Sequence, residues 1–454
     1  FVVFLADDHG YLDTPLFGAE DAKTPALMEL ADDGMLFTHA FVTSPSCAPS
    51  RASLLTAQYP QNNGIEANHD YEHFDGVTSL LHRFVELGYE TAAFGKVEHG
   101  INNPKNTWDE GFTHVGSNRL DMAEVESFLQ ERDTNKPLLL FVGTRHPHVP
   151  WTQDALRYDP GAVDLPPRSI DTPQTRINRA QYLEDVSKMD DLLGETRALI
   201  KRYLGDETFV MFSSDHGAQW PFGKWNLYDN SVRVATVVSW PGQVEAGSVN
   251  SAMVSWMDIL PTLLDLAGGD AEEGRDGYSF KTALLEGAEE HREVILTSHT
   301  GDSSINVYPM RAARDREWLY IRNLHPEHLY ATHMDRNIEK PHNLFWPTWE
   351  QAALKDPQAA ETVRAYRQRP AEELFYLPDD PHNLHNRVDD PEAAQALMRL
   401  RLAVDDYMQE TNDQAPVVGK PVLLSGPRGE KPRLVVLADM GNEPDEMQQM
   451  THLF

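Results

Sequence analysis

The chain has 454 residues with 41% apolar and 24% charged side chains, enough to bury a substantial core and long enough for one large domain plus a smaller one. Thirty-nine basic against 71 acidic residues leave a formal charge of −32, a field that repels polyanions and argues against a nucleic-acid partner. No run approaches the roughly 18 apolar residues of a membrane span, and a single cysteine forms no intrachain disulfide, so cysteine usage assigns no compartment.

The chain opens inside an apolar run, Phe1-Val2-Val3-Phe4-Leu5, without an initiator Met. The expectation is a shortened N-terminus that a signal peptide once preceded, and hence a periplasmic or secreted protein. Residues 1–6 read as a buried strand, and Asp7-Asp8-His9-Gly10 as the turn at its carboxyl end. Thr24-Pro25 has N-cap and first-turn chemistry and predicts a helix through Leu30. Helical spacing recurs over Ser79–Leu87 and Tyr182–Tyr203. Strand-like runs at 138–142, 209–212 and 235–238 precede His146-Pro147-His148, Ser213-Ser214-Asp215-His216-Gly217 and Trp240-Pro241-Gly242. Continuous apolar strands alternating with helices predict an α/β architecture: a large, mostly parallel sheet sandwiched by helices. In such sheets the polar residues of a site gather at the carboxyl ends of the strands, and here polar clusters follow three of the runs.

From about residue 300 the texture changes. Strands at 310–313 and 318–321, a Pro- and His-rich loop at 325–348, a helix from Glu373 and another over Pro391–Glu410 predict a smaller α+β subdomain over 301–410, after a catalytic domain over 1–300. Residues 411–430 read as a linker. Arg433–Leu437 and Asp439-Met440-Gly441-Asn442-Glu443-Pro444-Asp445 resemble the opening strand and Asp-rich turn of nucleoside-hydrolase-like domains, which makes 431–454 the truncated start of a second module; an ordinary strand-turn-helix tail is the alternative.

The chemistry centres on Ser46-Cys47-Ala48-Pro49-Ser50-Arg51. A lone Cys is ordinarily a small buried hydrophobe. The adjacent carboxylates of Asp7-Asp8 repel each other, and burying them is costly unless a cation joins them; alone they would read as a solvated turn. Asp215 and His216 follow another strand, and mostly oxygen donors suit a hard cation. A helix starting at Cys47 would put Arg51 on its face. Lys96, His99, His148 and Lys224 are further positive candidates, though any one such residue is more often a surface group.

Taken together, Cys-x-Pro-Ser-Arg, the Asp-Asp turn, Gly95-Lys96-x-x-His99 and Gly223-Lys224-Trp225-Asn226-Leu227-Tyr228 resemble the type I sulfatases over nearly all of residues 1–410. The resemblance implies an alkaline phosphatase-like fold and a sulfated saccharide substrate. It implies oxidation of Cys47 to formylglycine by a formylglycine-generating or anaerobic sulfatase-maturating enzyme. One hydroxyl of the hydrated aldehyde attacks sulfur; the second then loses its proton and expels sulfate, a step closed to serine or plain cysteine. Asp7, Asp8, Asp215, His216 and residue 47 would hold Ca²⁺, with Mg²⁺ second. Arg51, Lys96, His99, His148 and Lys224 would contact the nucleophile or the sulfate. The common family pattern has His two residues after the Lys; Glu98 stands there here, and the role passes to His99. Within the family, Asn63–Phe74, Gly223–Tyr228 and Tyr308–Arg311 are similar to heparan N-sulfatases, with His69, Asp70, His73 and Arg311 as sugar-subsite candidates, although such enzymes can carry Arg in place of Lys224 and Asn in place of His216. Shared scaffold packing is the alternative for these stretches. An O-sulfatase of iduronate-2-sulfate type, a phosphatase or phosphodiesterase of the same superfamily, and a non-catalytic sulfoglycan-binding module remain as competing functions.

Overall fold

In the computed structural model, which describes residues 1–69, 71–99 and 111–424, the apolar runs become strands of one large sheet. These are β1 (Val2–Ala6), β2 (Met35–Phe41), β3 (Glu90–Gly95), β4 (His114–Val115), β5 (Leu138–Gly143), β6 (Val210–Ser214), β7 (Arg233–Ser239) and β8 (Ser248–Ser255). Among the described residues their order is β4-β3-β5-β1-β6-β7-β2-β8. Strands β4, β3, β5, β1 and β6 run parallel, whereas β7 is antiparallel to both neighbours.

Both faces of this sheet are covered. Successive strand side chains point to opposite faces, and β1 divides accordingly: Val3 and Leu5 join one apolar core, Val2, Phe4 and Ala6 the other. Leu139 and Phe141 of β5 share the first core, Leu138, Leu140 and Val142 the second. A strand buried on both sides must be apolar throughout, which is why these runs show no alternation.

The second sheet is antiparallel: β9 (Ile295–His299), β10 (Met310–Arg314), β11 (Trp318–Asn323) and β12 (Glu372–Tyr376), in the order β12-β11-β10-β9. It begins a few residues before the expected boundary at 300. It also replaces the helix expected from Glu373. The run Glu372–Tyr376 pairs with β11, and its alternation places Leu374 in a core against the helix Ala394–Glu410 and Phe375 in the main core. Two-sided burial thus overrides the helical preference of Glu and Leu.

Residues 1–422 pack as one unit. Of the linker expected over 411–430, residues 411–422 run along it: Asp413 pairs with Arg311, and the Leu329 amide donates to the Val422 carbonyl at 2.7 Å. The module expected over 431–454 lies outside the described residues. No described helix is long and apolar enough to cross a membrane.

Candidate active site

Four adjacent parallel strands, β3, β5, β1 and β6, end at one edge of the sheet, and each delivers a polar group there. Lys96 follows β3, His148 follows β5, Asp7 and Asp8 follow β1, and Asp215 and His216 follow β6. The helix Cys47–Thr56 brings the nucleophile candidate to the same place from its first residue. Asp8 turns the chain out of β1 at φ +67°, a left-handed conformation that Asp tolerates better than most residues.

Cys47 Sγ lies 3.7 Å from Asp7 Oδ1, 3.9 Å from Asp8 Oδ1, 3.3 Å from His216 Nε2 and 3.4 Å from Lys224 Nζ. Single donor atoms of Asp8, Cys47, Asp215 and His216 all fall within 4.8 Å of one another, and all four residues are buried. Lys96 Nζ grips both Asp7 oxygens at 2.7 and 2.6 Å, and Lys224 Nζ grips both Asp8 oxygens at 2.8 and 2.9 Å. Three buried carboxylates are therefore met by two ammonium groups and the Arg51 guanidinium, the compensation that buried charge requires.

The field of this cluster is strong. Burial pushes the Cys47 thiol up, but Lys224, Lys96 and His216 outweigh it and hold the group well below the ordinary thiol range. Asp7 is likewise held low: burial opposes its charge, and Lys96, His148 and Arg51 together outweigh that. Burial raises Asp215 to about 6 despite Arg51. His216 is drawn up to about 9, because Asp215, Cys47 and Asp8 together outweigh burial. Its Nδ1–H donates to the Gly217 carbonyl at 2.9 Å, so Nε2 is the atom turned to the cluster. His148 is similarly fixed by Nδ1–H donation to the Val149 carbonyl at 2.6 Å, with Nε2 4.0 Å from Asp8 Oδ2. Burial opposes the charge of this ring, but Asp8 and Asp7 together raise its affinity for a proton above the ordinary value. His99 is pushed down to about 4 by burial, with Cys47, Lys96 and Asp7 as its charged neighbours.

The donor set fits a hard divalent cation. Asp8 and Asp215 supply carboxylate oxygens from different strands, Asp7 stands beside them, and oxidation at position 47 would replace sulfur by oxygen. The nitrogen of His216 is the softer member.

Arg51 takes a different place from the one expected. All five guanidinium donors are spent on the protein: Nε on Asp215 at 2.9 Å, one terminal nitrogen on the carbonyls of Lys96 and Val97, the other on Asp7 Oδ1 and the Ala6 carbonyl, both at 3.3 Å. It orients the carboxylates from beneath and has no donor left for sulfate. Arg311 also departs from its expected role. It is fully buried in β10, bound to both oxygens of Asp413 and to the His299 and Met310 carbonyls, and so locks the second sheet to residue 413. His69 lies at the rim, 55% exposed, with Nε2 3.7 Å from Asp302 Oδ1 and its ring 6.2 Å from that of His99. His73 is half-buried in the segment after it, and Asp70 lies outside the described residues.

Several supporting groups carry no local signal in the sequence. Asn68 accepts the Ala48 amide at 2.9 Å and donates to Asp302 Oδ2 at 3.1 Å, and Asp302 also accepts the Trp225 indole N–H at 2.8 Å. This buried carboxylate thereby ties the start of the nucleophile helix to the turn that bears Lys224. Trp225 itself holds φ +68°, and the His333 ring stacks on it at 5.0 Å. Strain at a bulky residue beside a reactive cluster persists only where the surroundings enforce it.

The family model described as Sulfatase matches residues 1–269, more than half of the chain. The chain belongs to the sulfatase family. It is accordingly a sulfuric ester hydrolase. A second model, described as N-sulphoglucosamine sulphohydrolase, C-terminal, matches residues 216–343 of this sulfatase. An ulvan-active sulfatase of Formosa agariphila is 29% identical over 95% of this chain and 84% of its own length. The human N-sulphoglucosamine sulphohydrolase is 28% identical over 91% of this chain and 90% of its own. Among solved structures, one in complex with its substrate D-glucosamine-2-N,6-O-disulfate superposes with a TM-score of 0.68 at 17% identity, covering 92% of this chain and 98% of the other. A phosphonate monoester hydrolase from Silicibacter pomeroyi gives 0.69 at 18% identity, covering 91% and 96%. At such identities these two likenesses speak to the fold, which is the alkaline phosphatase-like arrangement of a large mixed sheet with a smaller antiparallel one.

Proposed function

We propose that this sulfatase removes sulfate from a sulfated glucosamine unit, the N-sulfate foremost, with an oxidised Cys47 as its nucleophile. One observation carries the reading: Cys47 Sγ, three carboxylates, two lysines and His216 converge within a buried cluster drawn from five separate parts of the chain. Formylglycine at position 47 requires a formylglycine-generating or anaerobic sulfatase-maturating enzyme. A Ca²⁺ ion held by Asp7, Asp8, Asp215 and His216 would supply positive charge against the sulfate oxygens. Lys96 and Lys224 are the ammonium groups next to the nucleophile, and in a water-poor site their charge counts most where the transition state gathers negative charge. His148, 31% exposed and holding its proton more tightly than a free imidazole, is placed to protonate the departing nitrogen or oxygen.

The N-sulfate preference rests on the second family model and the human relative. The likeness to the ulvan-active sulfatase, which spans slightly more of the chain, favours sulfate release from ulvan as the second reading. The deciding experiment supplies matured protein with N-, 2-O-, 3-O- and 6-O-sulfated glucosamine disaccharides and sulfated ulvan oligosaccharides. Sulfate release fastest from the N-sulfated substrate is expected. Turnover of ulvan fragments alone would establish the second reading, and release of phosphate but not sulfate from aryl esters would overturn both. Peptide mass at Cys47 reports the oxidation directly.

A further inference from the structure

The turn after β1 is held amide by amide. Asp8 N–H donates to Asp215 Oδ1 at 3.0 Å, His9 N–H to Ser214 Oγ at 3.0 Å, and Gly10 N–H to the Tyr182 hydroxyl at 3.1 Å. The first two acceptors belong to the end of β6, the neighbouring strand. The third comes from the helix Pro173–Tyr203 that covers the sheet. The hydrolytic cluster as described above makes no use of it.

The Tyr182 hydroxyl is itself fixed. It donates to Asp13 Oδ2 at 2.7 Å, and Asp13 Oδ1 pairs with Arg179 at 2.7 Å. Arg179 and Tyr182 stand three residues apart on one helix and so share a face, with the guanidinium 5.3 Å over the Tyr182 ring. The Trp151 ring packs edge-on against the same ring at 5.5 Å. Tyr182, Asp13 and Arg179 are all buried, which strengthens each of these bonds and leaves little freedom to exchange them. The turn has no room to drift towards the helix either: a Cβ on Gly10 would fall 2.3 Å from Asp13 Oδ2.

Asp8 needs such a hold. It lies at φ +67°, a conformation that a residue other than glycine keeps only where its surroundings enforce it. Its carboxylate is also one of the four donors that converge within 4.8 Å. A rotation of the backbone at this point would swing that carboxylate out of the cluster. The Asp8 carbonyl stands 3.4 Å from the Tyr182 oxygen, so the hydroxyl reaches the chain on both sides of His9.

We infer that Tyr182 is a positioning residue for the cation: its hydroxyl pins the chain just past Asp8 and thereby sets the direction from which the Asp8 carboxylate meets the ion. The inference rests on the proposed reading of Asp8 as a ligand. With its hydroxyl spent on Gly10 and Asp13, Tyr182 acts through Asp8 and not on the substrate. Groups that fix a metal ligand from behind contribute about 10–100-fold in affinity.

The test removes one oxygen. Tyr182→Phe keeps the ring that packs on Trp151 and Arg179. Tyr320→Phe is the matched control, since that hydroxyl also accepts an N–H, from Arg322 at 3.1 Å, and donates to a carboxylate, Glu372 Oε1 at 2.5 Å, but in the second sheet. The full-length wild type and both variants are stripped with chelator and titrated calorimetrically with Ca²⁺, and unfolding of the calcium-free proteins is followed by circular dichroism. Tyr182→Phe is expected to bind Ca²⁺ about tenfold more weakly or worse, and Tyr320→Phe to bind it like the wild type, although both lose stability without calcium. Asp13→Asn, which keeps the hydroxyl but removes the charge that orients it, is expected to weaken Ca²⁺ binding in the same direction and serves if Tyr182→Phe does not fold. Wild-type affinity in Tyr182→Phe, or in Asp13→Asn where that variant stands in, or an equal loss in Tyr320→Phe, would overturn the inference and leave the cation reading standing. A wild type that takes up no Ca²⁺ would overturn both.

Discussion

Lys224 Nζ is bound to both oxygens of Asp8 and stands 3.4 Å from Cys47 Sγ, so its charge reaches both the carboxylate cluster and the proposed nucleophile. If its weight falls on the transition state, Lys224→Ala lowers kcat and kcat/KM together, by about 10²-fold or more; a rise in KM alone would mean ground-state binding only. Asp215 needs a gentler substitution. It accepts the Asp8 amide at 3.0 Å and the Arg51 Nε–H at 2.9 Å, so truncation to Ala would disturb packing as well as charge. Asp215→Asn keeps an amide-accepting oxygen and removes the charge; it is expected to retain the fold and bind Ca²⁺ at least about tenfold more weakly, as calorimetry would show. Unchanged affinity would remove Asp215 from the ligand set. The residues around Cys47 were legible because each follows an apolar strand or lies within a short motif. Asn68, Asp302 and His333 were not, because their loops carry no periodicity and only chain closure brings them together. Arg51 was legible by position but not by role, since the sequence does not show that five acceptors surround it.

At the scale of elements, the helix Pro25–Asp32 shows how a correct boundary can rest on the wrong cap. Thr24 has the residue type of an N-cap, yet its hydroxyl bonds Thr14, and the free amides of Ala26 and Leu27 are taken, both at 2.8 Å, by the two oxygens of Asp190 on the helix Pro173–Tyr203. Capping from a distant element leaves no local trace, just as the pairing that turns Glu372–Tyr376 into a strand leaves none. Asp190→Ala is therefore expected to destabilise the fold by about 1 kcal/mol, measured by denaturant unfolding. The pH dependence has a definite sign. Burial raises Asp190 from 3.8 to about 6, despite the two amides that favour its charge. The folded state thus holds the proton more tightly than the unfolded one; the associated stability is present below 3.8 and is lost as the pH rises through about 6. Relative to Asp190→Asn, the wild type should lose stability over that window, and a constant difference would show that the carboxylate titrates normally.

Over the whole molecule the charges conflict with the substrate. A formal charge of −32 repels a sulfated oligosaccharide at long range, while in the proposed function Lys96, Lys224 and His148, clustered around Cys47 and the two aspartates, would attract its sulfate at short range. These two fields respond differently to salt. Exposed charges are screened beyond roughly 8 Å at physiological ionic strength, whereas groups buried among fixed partners are screened far less. Added salt should therefore weaken the repulsion first and leave the pocket largely intact. For a sulfated octasaccharide, kcat/KM is expected to rise with sodium chloride from low ionic strength to about 0.15 M; a neutral-leaving-group aryl sulfate, with one charge, should show a much smaller change. A fall for the octasaccharide over the same range would mean that a basic surface patch, not the acidic envelope, governs its approach. The comparison isolates the envelope because the two substrates differ chiefly in total charge, which the acidic surface meets before the sulfate reaches the site.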